Sequence, residues 1–270
     1  MSLRQALEMT SATDAGQARS HNEDCVAVDA EYGLAILADG MGGYNAGEIA
    51  SGMAVTLLMQ GLKAQLPELL PDPSALEALL RKVVATVNGA VYEAARTQPQ
   101  CAGMGTTLVM AVFYNNRLLA AHIGDSRLYR LRGGQLTQLT HDHSLLQAQI
   151  DSGMISQEDA IWSSNKNLVT RALGVDPKVP LEVNAYDSAP NDMYLLCSDG
   201  LTDMVTLSDI QAAMELMGNN LPLAANEMIK LANEQGGRDN ISVALVKVCR
   251  PFPAQQGMLQ TLWSRLFGGN

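Results

Sequence analysis

Five short runs rich in Val, Ile and Leu, each bounded by Gly, Asn or Asp, constrain this chain more than any other feature. They are Leu34 to Ala38, Thr107 to Tyr114, Leu118 to Ile123, Met193 to Cys197 and Ile241 to Val248. Their length and β-branched content read as strands, and their apolar character calls for burial. The connections between them are tight. Tyr114-Asn115-Asn116-Arg117 joins two runs, and Arg132-Gly133-Gly134 follows another; turns of this kind make antiparallel hairpins rather than crossover units.

Helical periodicity marks Glu48 to Gln65 and Ser74 to Arg96, and two amphipathic stretches follow near Ser208 to Met217 and Leu221 to Glu234. Pro73-Ser74 with Glu77 has the spacing of a capping box at the start of the second helix. Hairpins interrupted by helix pairs predict an α+β fold with helices packed outside antiparallel sheets. At 270 residues and 47% hydrophobic, the chain can bury one large core, so one compact domain is expected.

A net charge of −10 argues against nucleic-acid binding, which needs a basic face to displace counterions. Cys25, Cys101, Cys197 and Cys249 lie far apart with no CxxC spacing, as expected of buried free thiols in a reducing cytosol. The start, MSLRQALEMTSATDAG, lacks a secretion signal's basic and apolar segments, and no run approaches the roughly 18 to 20 apolar residues of a membrane span. A soluble, cytoplasmic protein is expected.

Between Leu139 and Leu173 the pattern weakens into two short helical pieces, Ser144 to Ser152 and Ser156 to Ile161, and the polar run 163–167, which reads as an insert rather than core. After Pro251 and Pro253, the residues Leu259, Leu262, Trp263 and Leu266 form an apolar stripe if helical. Such a tail is expected to dock on its own domain.

Three segments share one chemical design. LAILADG ends in Asp39-Gly40, MYLLCSDG ends in Asp199-Gly200, and Asp239-Asn240 precedes the last strand. Carboxylates at strand ends can converge on rigid supports, and Gly lets backbone and ligand approach closely. Hard cations such as Mg²⁺ and Mn²⁺ favour such oxygen-rich surroundings. Asp-Gly after a strand is equally a hairpin-turn signal, but Asp39 runs into a Gly-dense stretch ahead of a helix. In Arg19-Ser20-His21-Asn22-Glu23-Asp24 a guanidinium precedes two acids, a combination suited to phosphate oxygens and metal-associated water. Asp125 sits in a further tight turn, Gly124-Asp125-Ser126.

Read in order, RSHNED, LADGMGG, GMGTTLV, HIGDSRLYRL, LTHDHSL, CSDGLTD and GRDNISV resemble the successive motifs of the bacterial type 2C, metal-dependent protein serine/threonine phosphatases. The match covers roughly residues 10–248. The resemblance implies two packed antiparallel β-sheets flanked by helices on both sides. It implies that Asp39 bridges two Mg²⁺ or Mn²⁺ ions, with Asp199 and Asp239 on one and Glu23 and the Gly40 carbonyl on the other. Asp125, helped by Asp199, would hold a third, weaker ion; Asp24 would orient the attacking water and Arg19 the substrate phosphate. Two cations roughly 3.5 to 4 Å apart can activate a water and neutralise phosphoryl charge without a protein nucleophile. In agreement, no cysteine lies in an HCx5R-type loop.

The expected organisation is a phosphatase domain over residues 1–250, with a flap insert at about 140–173, and a tail over 251–270. Expected partners are phosphoproteins, including a bacterial Ser/Thr kinase or its targets, with the enzyme a monomer. The alternative is a catalytically silent phosphoprotein-binding regulator, which would be marked by lost carboxylates. Two departures from the family pattern bear on detail. Met41 and Tyr44 stand where relatives carry histidines, leaving the leaving-group acid open between metal-associated water, His21 and His141. Trp162-Ser163-Ser164 replaces the usual His-Pro in the flap, which is expected to tune substrate choice.

Overall fold

The computed structural model describes residues 3–43, 46–69, 72–160 and 168–253. The expected tail stripe, Tyr44 and Trp162-Ser163-Ser164 lie outside these residues. Two antiparallel sheets account for all the apolar runs. One contains β1 (Leu7–Asp14), which follows the one-turn helix α1 (Leu3–Ala6), with β7 (Arg127–Arg132), β8 (Gln135–Gln138), β10 (Met193–Cys197) and β11 (Ile241–Val248), in the order β1-β11-β10-β7-β8. The other contains β2 (Asp24–Asp29), β3 (Leu34–Met41), β5 (Leu108–Tyr114), β6 (Arg117–Ile123) and β9 (Glu182–Asp187) in the order β2-β3-β5-β6-β9, with the short β4 (Gly105–Thr106) paired to β3.

Strand alternation explains why these runs are apolar throughout. Along β3 and β5, Ala35, Leu37, Val109, Ala111 and Phe113 face the other sheet, meeting Tyr194, Leu196, Ala244 and Val246. The intervening Leu34, Ile36, Ala38, Met110 and Val112 face outward, against α2 (Ala46–Leu69) and α3 (Pro73–Thr97). On the far side, Leu195, Cys197, Val243 and Leu245 pack on α7 (Leu207–Met217) and α8 (Leu221–Glu234). Each sheet is thus covered on both faces, giving four layers with helices outside. At the sandwich centre Phe113 meets Tyr194 edge to face, their centroids 5.2 Å apart, where aromatic pairs are favourable.

Local chemistry fixes the turns. Asn115 and Asn116 both take positive φ, 44° and 55°, which a two-residue hairpin requires and Asn tolerates. Gly133 and Gly134 do the same between β7 and β8. The start of α3 differs from the expected capping box. Its cap is Asp72, whose carboxylate accepts the Ser74 and Ala75 N–H groups, because a side chain one residue ahead of Pro73 reaches both donors; Glu77 instead pairs with Arg81. The cysteines are free, but only Cys101 and Cys197 are buried; Cys25 is half-buried and Cys249 exposed. Cys249 falls just past β11, where the sandwich no longer covers it.

Beyond residue 250, Phe252 is buried in the sandwich core. Its N–H donates to Asn116 Oδ1 at 2.6 Å, so packing continues through the Pro251-Phe252-Pro253 segment. The insert contains α4 (Leu145–Asp151) and α5 (Gln157–Ala160). It returns to the body through a bridge between Ser144 and Val169 and another between Thr106 and Leu173.

Candidate metal centre

At one end of the sandwich the strand termini enclose a cleft of about 250 Å³, lined by Arg19, Glu23, Asp39, Gly40, Met41, Gly42, Thr107, Asp125, Val169, Asp199 and Asp239. Every residue expected at the site is there except Asp24. That acid opens β2 directly opposite Asp39 in the β2–β3 register, and is buried behind the cleft. The supports differ from simple strand ends. Asp39 lies within β3, Asp199 begins the one-turn helix α6 (Asp199–Thr202), and Asp239 sits two residues before β11.

Gly40 and Gly200 are not turn residues. Neither has positive φ. A Cβ on Gly40 would collide with the carbonyl oxygens of Gly47 and Glu23, and one on Gly200 with that of Asn240. Glycine is needed here because backbones pass too closely for any side chain. The turn reading of both Asp-Gly pairs is therefore excluded.

The surrounding hydrogen bonds hold the acids in place. Thr107 Oγ1 accepts the Asp39 N–H at 3.0 Å and lies 2.7 Å from Ser126 Oγ, while Thr106 Oγ1 donates to the Asp39 carbonyl. Ser198 Oγ donates to Asp24 Oδ2 at 2.8 Å. Asn240 fastens the loop before β2: its Oδ1 accepts the Glu23 N–H, and its Nδ2 donates to the Ala15 and His21 carbonyls. Arg19, half-exposed, donates from Nη2 to Asp239 Oδ2 at 2.7 Å. The sequence reading missed Thr107 and Asn240, which lay in view within the GMGTTLV and GRDNISV motifs. It also missed Asp203, whose charge raises the pKa of both Asp125 and Asp199.

The electrostatics are those of a site built for positive charge. Burial, reinforced by Asp24, Asp199, Asp125 and Asp239, lifts the Asp39 carboxyl well above the carboxylate range. Asp199 rises for the same reasons, with Asp125 its strongest neighbour. Burial also pushes Asp24 and Asp125 up to about 6. Glu23 rises too, mainly through desolvation. Glu23 Oε1 and Asp24 Oδ1 are buried with no hydrogen-bond partner. Buried, crowded acids with unfilled oxygens are costly unless a cation neutralises them. The oxygen-only donor set fits hard ions of the Mg²⁺ or Mn²⁺ type.

Neither His21 nor His141 lines the cleft. His141 instead pairs with Asp151 at 2.7 Å on the exposed insert. A larger groove of about 450 Å³ between α2 and α3 shares no residue with the carboxylates. Its lining, including Leu57, Gly61, Val83 and Val87, lacks any acid.

Comparison with known proteins agrees with this geometry. The family model described as Protein phosphatase 2C matches residues 13–234. The chain belongs to the protein phosphatase 2C family. Among family relatives, the serine/threonine phosphatase stp of Listeria monocytogenes is 40% identical over 238 residues, covering 87% of this chain and 93% of that protein. The crystal structure of the Mycobacterium tuberculosis serine/threonine phosphatase PstP/Ppp superposes with a TM-score of 0.83 at 36% identity, covering 91% of this chain and all of that one. A PstP catalytic domain solved in complex with two manganese ions gives a TM-score of 0.79 at 37% identity, covering 90% and 99%. The four-layer fold expected from the motifs is the fold of these phosphatases.

Proposed function

We propose that this family member is a metal-dependent phosphatase that hydrolyses phosphoserine and phosphothreonine esters in proteins. The observation that carries the reading is the convergence of Glu23, Asp39, Asp125, Asp199 and Asp239 on one cleft beside Arg19, with buried carboxylate oxygens that lack partners. Asp39 would be shared by two ions, Asp199 and Asp239 serving one and Glu23 with the Gly40 carbonyl the other; Asp125 would hold a third, weaker ion. Mg²⁺ or Mn²⁺ bound there supplies the Lewis acidity that activates water and neutralises phosphoryl charge. The protein's own part is placement. Asp24, buried and bonded to Ser198, orients the attacking water, and the Arg19 guanidinium receives the phosphate oxygens.

Substrate choice fits the flap over residues 140–173, because Val169 at its return lines the cleft. The natural substrates in this reading are phosphoproteins of a bacterial Ser/Thr kinase system, the kinase itself or its targets, which present the same phosphoester. A cytoplasmic monomer suits this role, and among the described residues no helix is long and apolar enough to cross a membrane. The deciding experiment is turnover of p-nitrophenyl phosphate with Mn²⁺. Chelator and Asp39→Asn should each lower the rate by roughly a thousandfold, since the ions supply several kcal/mol of transition-state stabilisation. Full activity in Asp39→Asn would overturn the reading.

A further inference from the structure

Two motifs that are distant in sequence grip each other around Asp125. His143, at the root of the flap, donates its N–H to the Gly124 carbonyl at 2.9 Å. Its Nδ1 in turn accepts the Gly124 N–H at 3.1 Å, so one residue takes both polar backbone groups of the residue preceding Asp125. On the other side of the turn, Asp142 receives the Arg127 guanidinium through Nε at 2.9 Å and Nη2 at 2.6 Å. The carbonyl of His143 accepts the Thr170 N–H at 2.8 Å, next to Val169 in the cleft wall. Gly124 cannot yield easily, because it has φ +101° and Thr107, the residue that supports Asp39, presses against the position of its missing Cβ.

We infer that Asp142 and His143 form a clasp that sets the position of Asp125, and that through it the flap root governs how tightly the cation at Asp125 is held. His143 is a positioning residue in this account. The inference rests on the reading of Asp125 as a cation ligand.

A metal site made of His122, His143 and Glu182, whose ligand atoms lie within 4.8 Å of one another, is the competing use of this cluster. The geometry disfavours it. The two imidazoles stack 4.7 Å apart at 11°, so their in-plane lone pairs do not converge on one point, and Arg171 Nη1 lies 3.2 Å from His143 Nε2, placing a cation where a metal would sit. With Nδ1 accepting from Gly124, the neutral ring carries its proton on Nε2, which faces Glu182 Oε2 at 3.3 Å, so the Arg171 approach brings two donors together and is not a hydrogen bond. Burial, with His122 next in effect, lowers the His143 pKa and so preserves the Nδ1 lone pair for Gly124.

Calorimetric titration of the metal-free protein with Mn²⁺ tests the clasp. His143→Leu removes the acceptor and should weaken the low-affinity site about tenfold, the worth of one hydrogen bond, leaving the tight sites unchanged. His143→Asn returns an oxygen near the Nδ1 position and should restore most of that loss. A His143→Leu protein that melts earlier but keeps wild-type low-affinity binding would reduce the clasp to a structural staple and overturn the inference. Should His143→Leu fail to fold, Asp142→Asn loosens the opposite side, and an unchanged low-affinity isotherm there is equally decisive against it. Asp125→Asn separates the two readings: if it leaves the weak site intact, the ligand assignment fails, whereas loss in Asp125→Asn alone defeats only the clasp.

Discussion

Asp192, buried, and Asp39, half-buried at the cleft wall, are both acids drawn away from solvent, yet their surroundings are opposite. Asp192 receives Arg132 Nε at 2.6 Å, the Ala189 N–H at 2.7 Å and the Tyr194 hydroxyl at 3.1 Å. Burial raises its pKa, but Arg132 and these donors outweigh that and hold it below the usual range. Asp39 has other carboxylates for neighbours, and burial with their repulsion drives it upward. The first is a finished structural ion pair. The second is unfinished within the polypeptide, and that difference, rather than acidity alone, separates a scaffold acid from the metal ligand proposed for Asp39.

The comparison can be tested through pH. A carboxyl raised from 3.8 to about 6, as for Asp24, keeps its proton in the folded state after the unfolded chain has lost it. Stability of the metal-free protein should therefore fall as pH rises from about 4 to about 7, by about 3 kcal/mol for one such group. Thermal melts in chelator should show that decline, Asp24→Asn should remove its share of it, and Mn²⁺ should oppose it at the upper end. On the finished side, Arg132→Ala strands Asp192 and should cost about 2 kcal/mol in denaturant melts, an amount moderated by the partial exposure of Arg132, with kcat unchanged. Smallest is Asp72, an acid met by helix N–H groups alone. Asp72→Ala should cost about 1 kcal/mol of stability and nothing in turnover.

Much of this was legible in the sequence because the relevant signals are local. Strands buried on both faces announce themselves as unbroken apolar runs, and Asn115-Asn116 dictates its own hairpin. The ordered motifs named the acids that line the cleft. What stayed hidden depends on partners far away in the chain. Nothing beside Gly40 or Gly200 reveals that Gly47 or Asn240 passes too close for a side chain, so each Asp-Gly pair read equally well as a turn. The grip of His143 on Gly124, nineteen residues apart, likewise requires the two strands and the flap root to be folded together. The Asp72 cap is hidden for a simpler reason: it lies one residue ahead of the Pro73-Ser74 pair that marks the helix start in the sequence.

Whether divalent cations complete the cleft acids is decided by calorimetric titration of the metal-free protein with Mn²⁺ near neutral pH. At least two ions should bind per chain, with proton release as the raised carboxyls ionise, and Asp39→Asn should lose tight binding. Binding of no ion, or an isotherm that Asp39→Asn leaves unchanged, would contradict that completion.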